Sequence, residues 1–295
     1  SRYYGYDRGF DAFHDFMDPD SYDYADDTFV DNSPRRLAEP TRQELSAILE
    51  DCQAHPDVYA TVQALTGLQG VDLLRHIARR ERFYPYHAAD LVKWTLGWLR
   101  EPDGGAKRFY WLHLMDLHEN ITVPFSRVGS YSTVQRFLLN ALFGSPLGAD
   151  LLRSYADKYR DLYDSAVSYV DMALERLTGQ ISERGLMERT LLCVTADHGQ
   201  SLLEGGRFGH GYDRLEEEVV HVPLIFGGGL AAGLADVDAG RPVSLLDLAP
   251  TVLHVMGLPV PANMDGHVLT DAFEDEYLAA FPLLMADLAS QEMAE

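Results

Sequence analysis

Cysteine is nearly missing from the 295 residues: Cys52 and Cys193 are the two present. They are too few for a disulfide framework or a thiolate metal cluster, and they fit a reducing, cytoplasmic compartment best. Lysine is almost as scarce. It occurs only at Lys93, Lys107 and Lys158, so arginine carries nearly all of the 24 positive charges. Against these stand 46 Asp and Glu, for a net charge of -22. Such a surface repels phosphate backbones and acidic membranes, which argues against nucleic acid or a membrane surface as partner. It fits a halophilic setting, where a protein must stay hydrated in concentrated salt. No apolar run reaches the roughly 20 residues of a membrane span. HExxH, G-x-S-x-G and paired CxxC are all missing, so zincin, serine-hydrolase and zinc-finger readings lack support. The opening Ser1-Arg-Tyr-Tyr-Gly-Tyr-Asp-Arg-Gly-Phe-Asp is neither a signal peptide nor a flexible tag. The chain therefore reads as cut from a longer one, and secretion stays open.

What is present is globular: 46% hydrophobic residues with 11% aromatics, enough for one large core or two small ones. Residues 1 to 40 lack periodicity and read as an irregular packed segment. Thr41 and Glu44 have capping-box spacing, and helical patterns then run, with breaks, to about Arg100. A turn at Pro102, Asp103, Gly104 and Gly105 precedes Phe109 to Met115, an apolar run expected to be a buried strand. The mixed segment from about Pro124 to Gly148 is expected to be an insertion over the site. Apolar residues at Leu152, Tyr155, Tyr159, Leu162, Ala166, Val170, Ala173 and Leu177 step by three and four, which predicts one long amphipathic helix. Leu191 to Thr195 and Val222 to Phe226 are further expected strands, and Leu248 to Met256 a helix stopped by Gly257. Strands alternating with helices make the class α/β. A single domain over 1–295, with a helical insertion at about 41–105 and its beginning missing, is the simplest organisation.

The sharpest local signal is Val-Thr-Ala-Asp197-His198-Gly199, where an acid and an imidazole leave the carboxyl end of a strand. Ligands bind at that edge in open α/β sheets. A hard oxygen beside a borderline nitrogen suits a divalent ion, while the competing reading is an Asp helix cap next to a surface histidine. Leu-His113-Leu-Met-Asp116-Leu-His118 ends the other apolar run in similar chemistry. His113 lies within the run and reads as a core histidine, so His118 is the better candidate. Phe208-Gly209-His210-Gly211-Tyr212 supplies a third imidazole, with glycines that let the backbone approach a ligand. Read alone, it is an ordinary loop. Gly227-Gly228-Gly229-Leu-Ala-Ala fits a variant dinucleotide fingerprint, but no long helix follows it before Pro242, so it reads as a loop. The Glu216, Glu217, Glu218 run reads as a solvated helix face.

Taken together, Val-Thr-Ala-Asp197-His198-Gly199, Phe-Gly-His210-Gly-Tyr and Leu-Glu-Glu-Glu-Val-Val-His-Val-Pro-Leu-Ile resemble the sulfatase family of the alkaline phosphatase superfamily. Gly-Tyr-Asp-Arg-Gly-Phe-Asp near the start, the stretch from Tyr163, and Val-Ser-Leu-Leu-Asp247-Leu-Ala-Pro250-Thr251 agree in order. The least similar parts are 41–105 and 125–150. The resemblance implies an alkaline-phosphatase-like three-layer sandwich with a central, largely parallel sheet flanked by helices, truncated at the N-terminus. It implies Asp197 and His198 as metal ligands, where many sulfatases have Asp-Asn and phosphate-handling relatives often have Asp-His. It implies His118 as the histidine that contacts the sulfuryl group or protonates the leaving oxygen. His210 would stand where a lysine or histidine binds the sulfate oxygens.

One divalent cation is implied, calcium first, with magnesium, manganese or zinc as alternatives. The family's nucleophile, a Cys or Ser converted to formylglycine within C-x-P-S-R, precedes the Gly-Phe-Asp segment, and that motif does not occur here. Cys52 is followed by Gln-Ala-His and Cys193 lies in a strand, so neither substitutes. The implied substrate is a small-molecule or carbohydrate sulfate ester. Locally, the metal, His118, His210 and Arg207 would offset the acidic surface. Two other functions stay in view: hydrolysis or transfer of a phosphate ester, and a catalytically silent metal-binding domain.

Overall fold

The computed structural model describes residues 39–81, 87–99, 107–118, 121–123, 131–143, 149–204, 208–210, 215–234 and 242–269. The chain divides into two compact units, Ser1–Gln180 with Gln200–Arg214, and Ile181–Gly199 with Leu215–Glu295. The irregular segment expected before Thr41 and the turn at 102–105 lie outside the described residues, apart from Glu39 and Pro40.

In the first unit, helices α1 (Arg42–Ala54), α2 (Pro56–Thr66), α3 (Gly70–Glu81), α4 (Ala88–Trp98), α5 (Thr133–Phe143) and α6 (Ala149–Glu183) follow in order, α6 running on into the second unit. The capping box is as the spacing requires: the Thr41 hydroxyl accepts from Glu44 N–H, and the Glu44 carboxylate accepts from Thr41 N–H at 2.7 Å. One core cluster joins α1, α2, α3 and α5, with Ile48, Cys52, Val62, Leu73, Ile77, Val134, Phe137 and Leu142 among its buried members. Asp51 on α1 accepts the Val134 N–H at 2.8 Å, satisfying one of the orphan donors at the start of α5. On α6 the stepped residues Tyr159, Leu162, Ala166, Val170, Ala173 and Leu177 are buried, as the periodicity requires.

Within the segment foreseen as an insertion over the site, Thr133–Phe143 is a helix that contributes Val134, Phe137, Leu138 and Leu142 to the helical core, because its apolar residues recur at helical spacing; residues 124–130 and 144–148 of that segment lie outside the described residues. Arg136 of this helix forms a partly buried ion pair with Glu81 and donates to the Tyr131 carbonyl at 2.6 Å. Burial pushes the Glu81 carboxyl up, and Arg136 pulls against that shift.

Phe109–Met115 corrects an expectation. It is irregular rather than a strand, and Trp111 is 67% exposed. A strand needs a ladder partner for its N–H and C=O groups, and no strand among the described residues pairs with this run. His113 is likewise exposed, not a core histidine. The described ladders are β1 (Leu192–Thr195) with β4 (Leu224–Gly227), and β2 (Ser201–Leu202) with β3 (Phe208–Gly209). Both are antiparallel, so the parallel pairing expected of a central sheet is not found among the described residues. The β1–β4 strands are half-buried at most, with Ile225 58% exposed. After β4 the glycines lead into a short 3-10 turn, Gly229–Leu234, rather than a long helix.

In the second unit the short helix α7 (Glu217–Val220) and helix α8 (Leu248–Val255) complete the description. Asp247, fully buried, accepts from Ser244 N–H at 2.8 Å and from His267 N–H at 2.9 Å. Thr251 donates its hydroxyl to the Asp247 carbonyl and accepts from Leu269 N–H. The family-like Asp247-Leu-Ala-Pro250-Thr251 run is thus a structural staple between α8 and residues 267–269. Among the described residues no helix is long and apolar enough to cross a membrane.

Removing one member of a buried ion pair strands the other, whereas an exposed pair has water to replace it. Glu81→Ala should therefore destabilise the protein by about 3–5 kcal/mol. Glu39→Ala, which loses exposed contacts to Arg75 and Arg79, should cost at most about 1 kcal/mol. Urea unfolding of both variants checks the contrast, and equal costs would refute it.

Candidate active site

The β2–β3 ribbon is the device that orients His210. Its register sets Ser201 opposite Gly209 and Leu202 opposite Phe208, so the next positions outward, Gln200 and His210, face each other. The His210 Nδ1 lies 2.9 Å from Gln200 Oε1. An amide oxygen only accepts, so this contact is a hydrogen bond when the ring carries its proton on Nδ1. Gly209 holds a φ of +79° inside the ribbon, a conformation that L side chains rarely adopt. Phe208 packs edge-on against Tyr159 of α6, ring centroids 4.8 Å apart, which seats the ribbon on the long helix.

His118 is brought to this ribbon. Its ring stands edge-on to His210 with centroids 5.1 Å apart, although the two residues are far separated in sequence. The turn that carries it closes through His118 N–H donating to the Met115 carbonyl at 3.1 Å. Asp116, which the sequence offers as a third strand-end group, is instead buried and internally bonded. Its Oδ1 is 2.8 Å from His87 Nδ1 and its Oδ2 accepts from Ala88 N–H at 2.9 Å. The Tyr169 ring of α6 stands edge-on to His87. Burial first, and the Asp116 charge second, push the Tyr169 hydroxyl up to about 12.

Asp197 and His198 leave the end of β1 in the second unit. The His198 N–H donates to Asp197 Oδ1 at 3.1 Å, and its Nδ1 is 3.0 Å from the Gly199 carbonyl. His198 Nε2 and Asp197 Oδ2 are 3.8 Å apart, with the side chains 34% and 71% exposed. Two ligands each about 2.0–2.6 Å from one ion can span that separation, so this oxygen and nitrogen fit part of a cation site. Among the described residues no group of three or more His, Cys, Asp or Glu is arranged to hold a metal ion. Gly199 fixes the turn by close approach. Its N–H donates to the Val219 carbonyl at 2.7 Å, and a Cβ there would lie 2.1 Å from the Glu218 carbonyl oxygen.

Neither thiol has the surroundings of a nucleophile. Cys52 is buried in the helical core, where burial and then Asp51 raise it to about 11; burial raises Cys193 as well. A reactive cysteine needs the opposite shift. Sequence reasoning missed Gln200 and His87. Gln200 would have followed from the ribbon register alone, and the only local trace of His87 is its position three residues before Asp90, whose carboxylate accepts the His87 N–H at 3.2 Å. Arg207, Gly211 and Tyr212 lie outside the described residues.

A family model described as Sulfatase matches residues 3–258, running through both units. Arylsulfatase K of Bos taurus is 33% identical over 112 residues, 37% of this chain and 20% of that protein. Arylsulfatase K of Homo sapiens is 30% identical over 124 residues, 40% of this chain and 22% of that protein. An arylsulfatase of Volvox carteri is 31% identical over 142 residues, 43% and 22% respectively. The matched stretches span about a fifth of the length of these relatives.

Two outcomes follow from this geometry. Gly199→Ala should lower stability by about 1–3 kcal/mol, because backbone must move to admit the methyl group; an unchanged melting temperature would contradict the close approach. For Tyr169, the folded state keeps its proton between pH 10 and about 12 while the unfolded chain loses it. Stability should therefore fall as pH rises through that window, and less steeply in Tyr169→Phe. Urea midpoints measured at successive pH values check both the sign and the difference.

Proposed function

The chain belongs to the sulfatase family, and from that premise we propose that the full-length protein is a metal-dependent hydrolase of sulfate esters, its substrate a small-molecule or carbohydrate sulfate. The observation that carries the proposal is the imidazole pair: His118 stands edge-on to His210, and the Nδ1 of His210 is met by the amide oxygen of Gln200.

Hydrolysis of a sulfate ester needs positive charge or N–H donors at the sulfuryl oxygens and a proton for the leaving oxygen. His210, once protonated at Nε2, offers that N–H to a sulfuryl oxygen while Gln200 keeps the ring from turning. His118 gives its proton to the leaving oxygen, which removes the need to expel an alkoxide. Asp197 and His198 would hold the divalent cation, calcium in this reading. When bound, it supplies positive charge that polarises the nucleophile and the sulfuryl oxygens. Two donors do not fill a coordination shell, so this reading takes further ligands from outside the described residues. The formylglycine belongs outside this chain in the same reading, because the surroundings of Cys52 and Cys193 do not suit a nucleophile. A central, largely parallel sheet in a three-layer sandwich is likewise proposed for the full-length protein.

Asp197 followed by His198, rather than by Asn, is the one feature favouring a phosphate ester, so the experiment has two substrate arms. With full-length protein and a divalent cation, an aryl sulfate should be hydrolysed faster than the matching aryl phosphate. His118→Ala should lower kcat by about 10²–10⁴, and Asp197→Ala should lose the response to added cation. Faster phosphate hydrolysis would overturn the sulfate assignment, and cation binding without hydrolysis of either ester would make the protein a silent metal-binding domain. The 295 residues alone should give no turnover.

A further inference from the structure

We propose that Asp116 is a positioning residue for His118: its buried carboxylate, held by His87 and by the Ala88 N–H at the start of α4, fixes the turn that presents the His118 imidazole to His210. The proposal rests on the reading of His118 as proton donor and extends that reading to a carboxylate outside the reacting groups.

Both oxygens of Asp116 are engaged, one with the His87 ring and one with the Ala88 N–H, and its side chain is only 2% exposed. A carboxylate this buried is tolerable only while those bonds persist. The start of α4 adds the positive end of the helix dipole. Asp116 sits inside the Met115-to-His118 turn, so the direction in which the chain enters His118 depends on where Asp116 is tied. Beyond His118 the chain is tied again: Asn140 of α5 accepts the Ile121 N–H at 3.1 Å and donates to the Ile121 carbonyl at 3.0 Å. With Asn140 alone the turn would hold at one end and swing at the other. Tyr169 closes the third side by packing against His87. A helix from the region that reads as least family-like thus sets the placement of the proton donor.

The test uses the 295-residue protein with ¹³C-labelled histidine and reads the nuclear Overhauser contact between the His118 and His210 rings. Asp116→Asn and His87→Ala should each weaken or abolish that contact while the far-ultraviolet circular dichroism stays native. His87→Gln, whose amide can donate to Asp116, should restore it. In the full-length enzyme the same Asp116→Asn change should lower kcat by about 10- to 100-fold with KM unchanged. A folded Asp116→Asn or His87→Ala protein with the wild-type ring contact would overturn the proposal. If Asp116→Asn fails to fold, the His87→Ala and His87→Gln pair decides. The ring contact needs no turnover, so failure of the sulfatase reading leaves this result interpretable. Conversely, wild-type sulfate hydrolysis with kcat unaltered in Asp116→Asn would overturn the positioning role alone.

Discussion

A carboxylate taken out of water must find donors inside the protein, and in this chain that constraint organises the described structure. Asp116 meets it with the His87 ring and the Ala88 N–H, and in doing so ties an irregular segment to the start of α4. Asp51 meets it with the first-turn N–H of α5, which joins α1 to that helix. Asp247 meets it with Ser244 and His267 and so staples residues 267–269 to α8. In each case a short, stiff acid collects backbone N–H groups that packing would otherwise strand.

The proposed sulfate-ester substrate sets so acidic a chain the problem of meeting an anion. Most of its 46 acids repel sulfate through water, where salt screens the effect over about 10 Å. The groups proposed to meet the substrate, His118 and His210, are imidazoles that would act at contact distance. The Nδ1 of His210 is met by the amide oxygen of Gln200. The acid nearest in sequence to His118 within the described turn, Asp116, has both oxygens turned to internal donors.

Architecture and chemistry are divided between segments of different character. The helices from α1 to α3, with α5, supply a well-packed core and none of the four residues proposed for catalysis or metal binding. Those residues sit where regular structure stops: His118 in a turn, His210 after a two-residue strand, Asp197 and His198 just past β1. Such positions free side chains from the pleat or the helix face, and the neighbouring regular elements then have to hold them still.

What the sequence determined by itself is what depends on residues a few positions apart. The Thr41–Glu44 box, the buried stripe of α6, the β1 and β4 segments and the stop at Gly257 all follow from local periodicity and capping, and the structure has them. The motifs around Asp197, His198 and His210 were legible for the same reason. Tertiary structure decided whatever depended on a partner far along the chain. Phe109–Met115 has the composition of a buried strand but lacks a ladder, and Thr133–Phe143 became core because three other helices present apolar faces to it. His87 and Asp116 meet across 29 positions and His118 meets His210 across an even longer stretch. Periodicity tells a segment which face to bury, but the donor that a buried carboxylate will find is fixed only when distant segments pack.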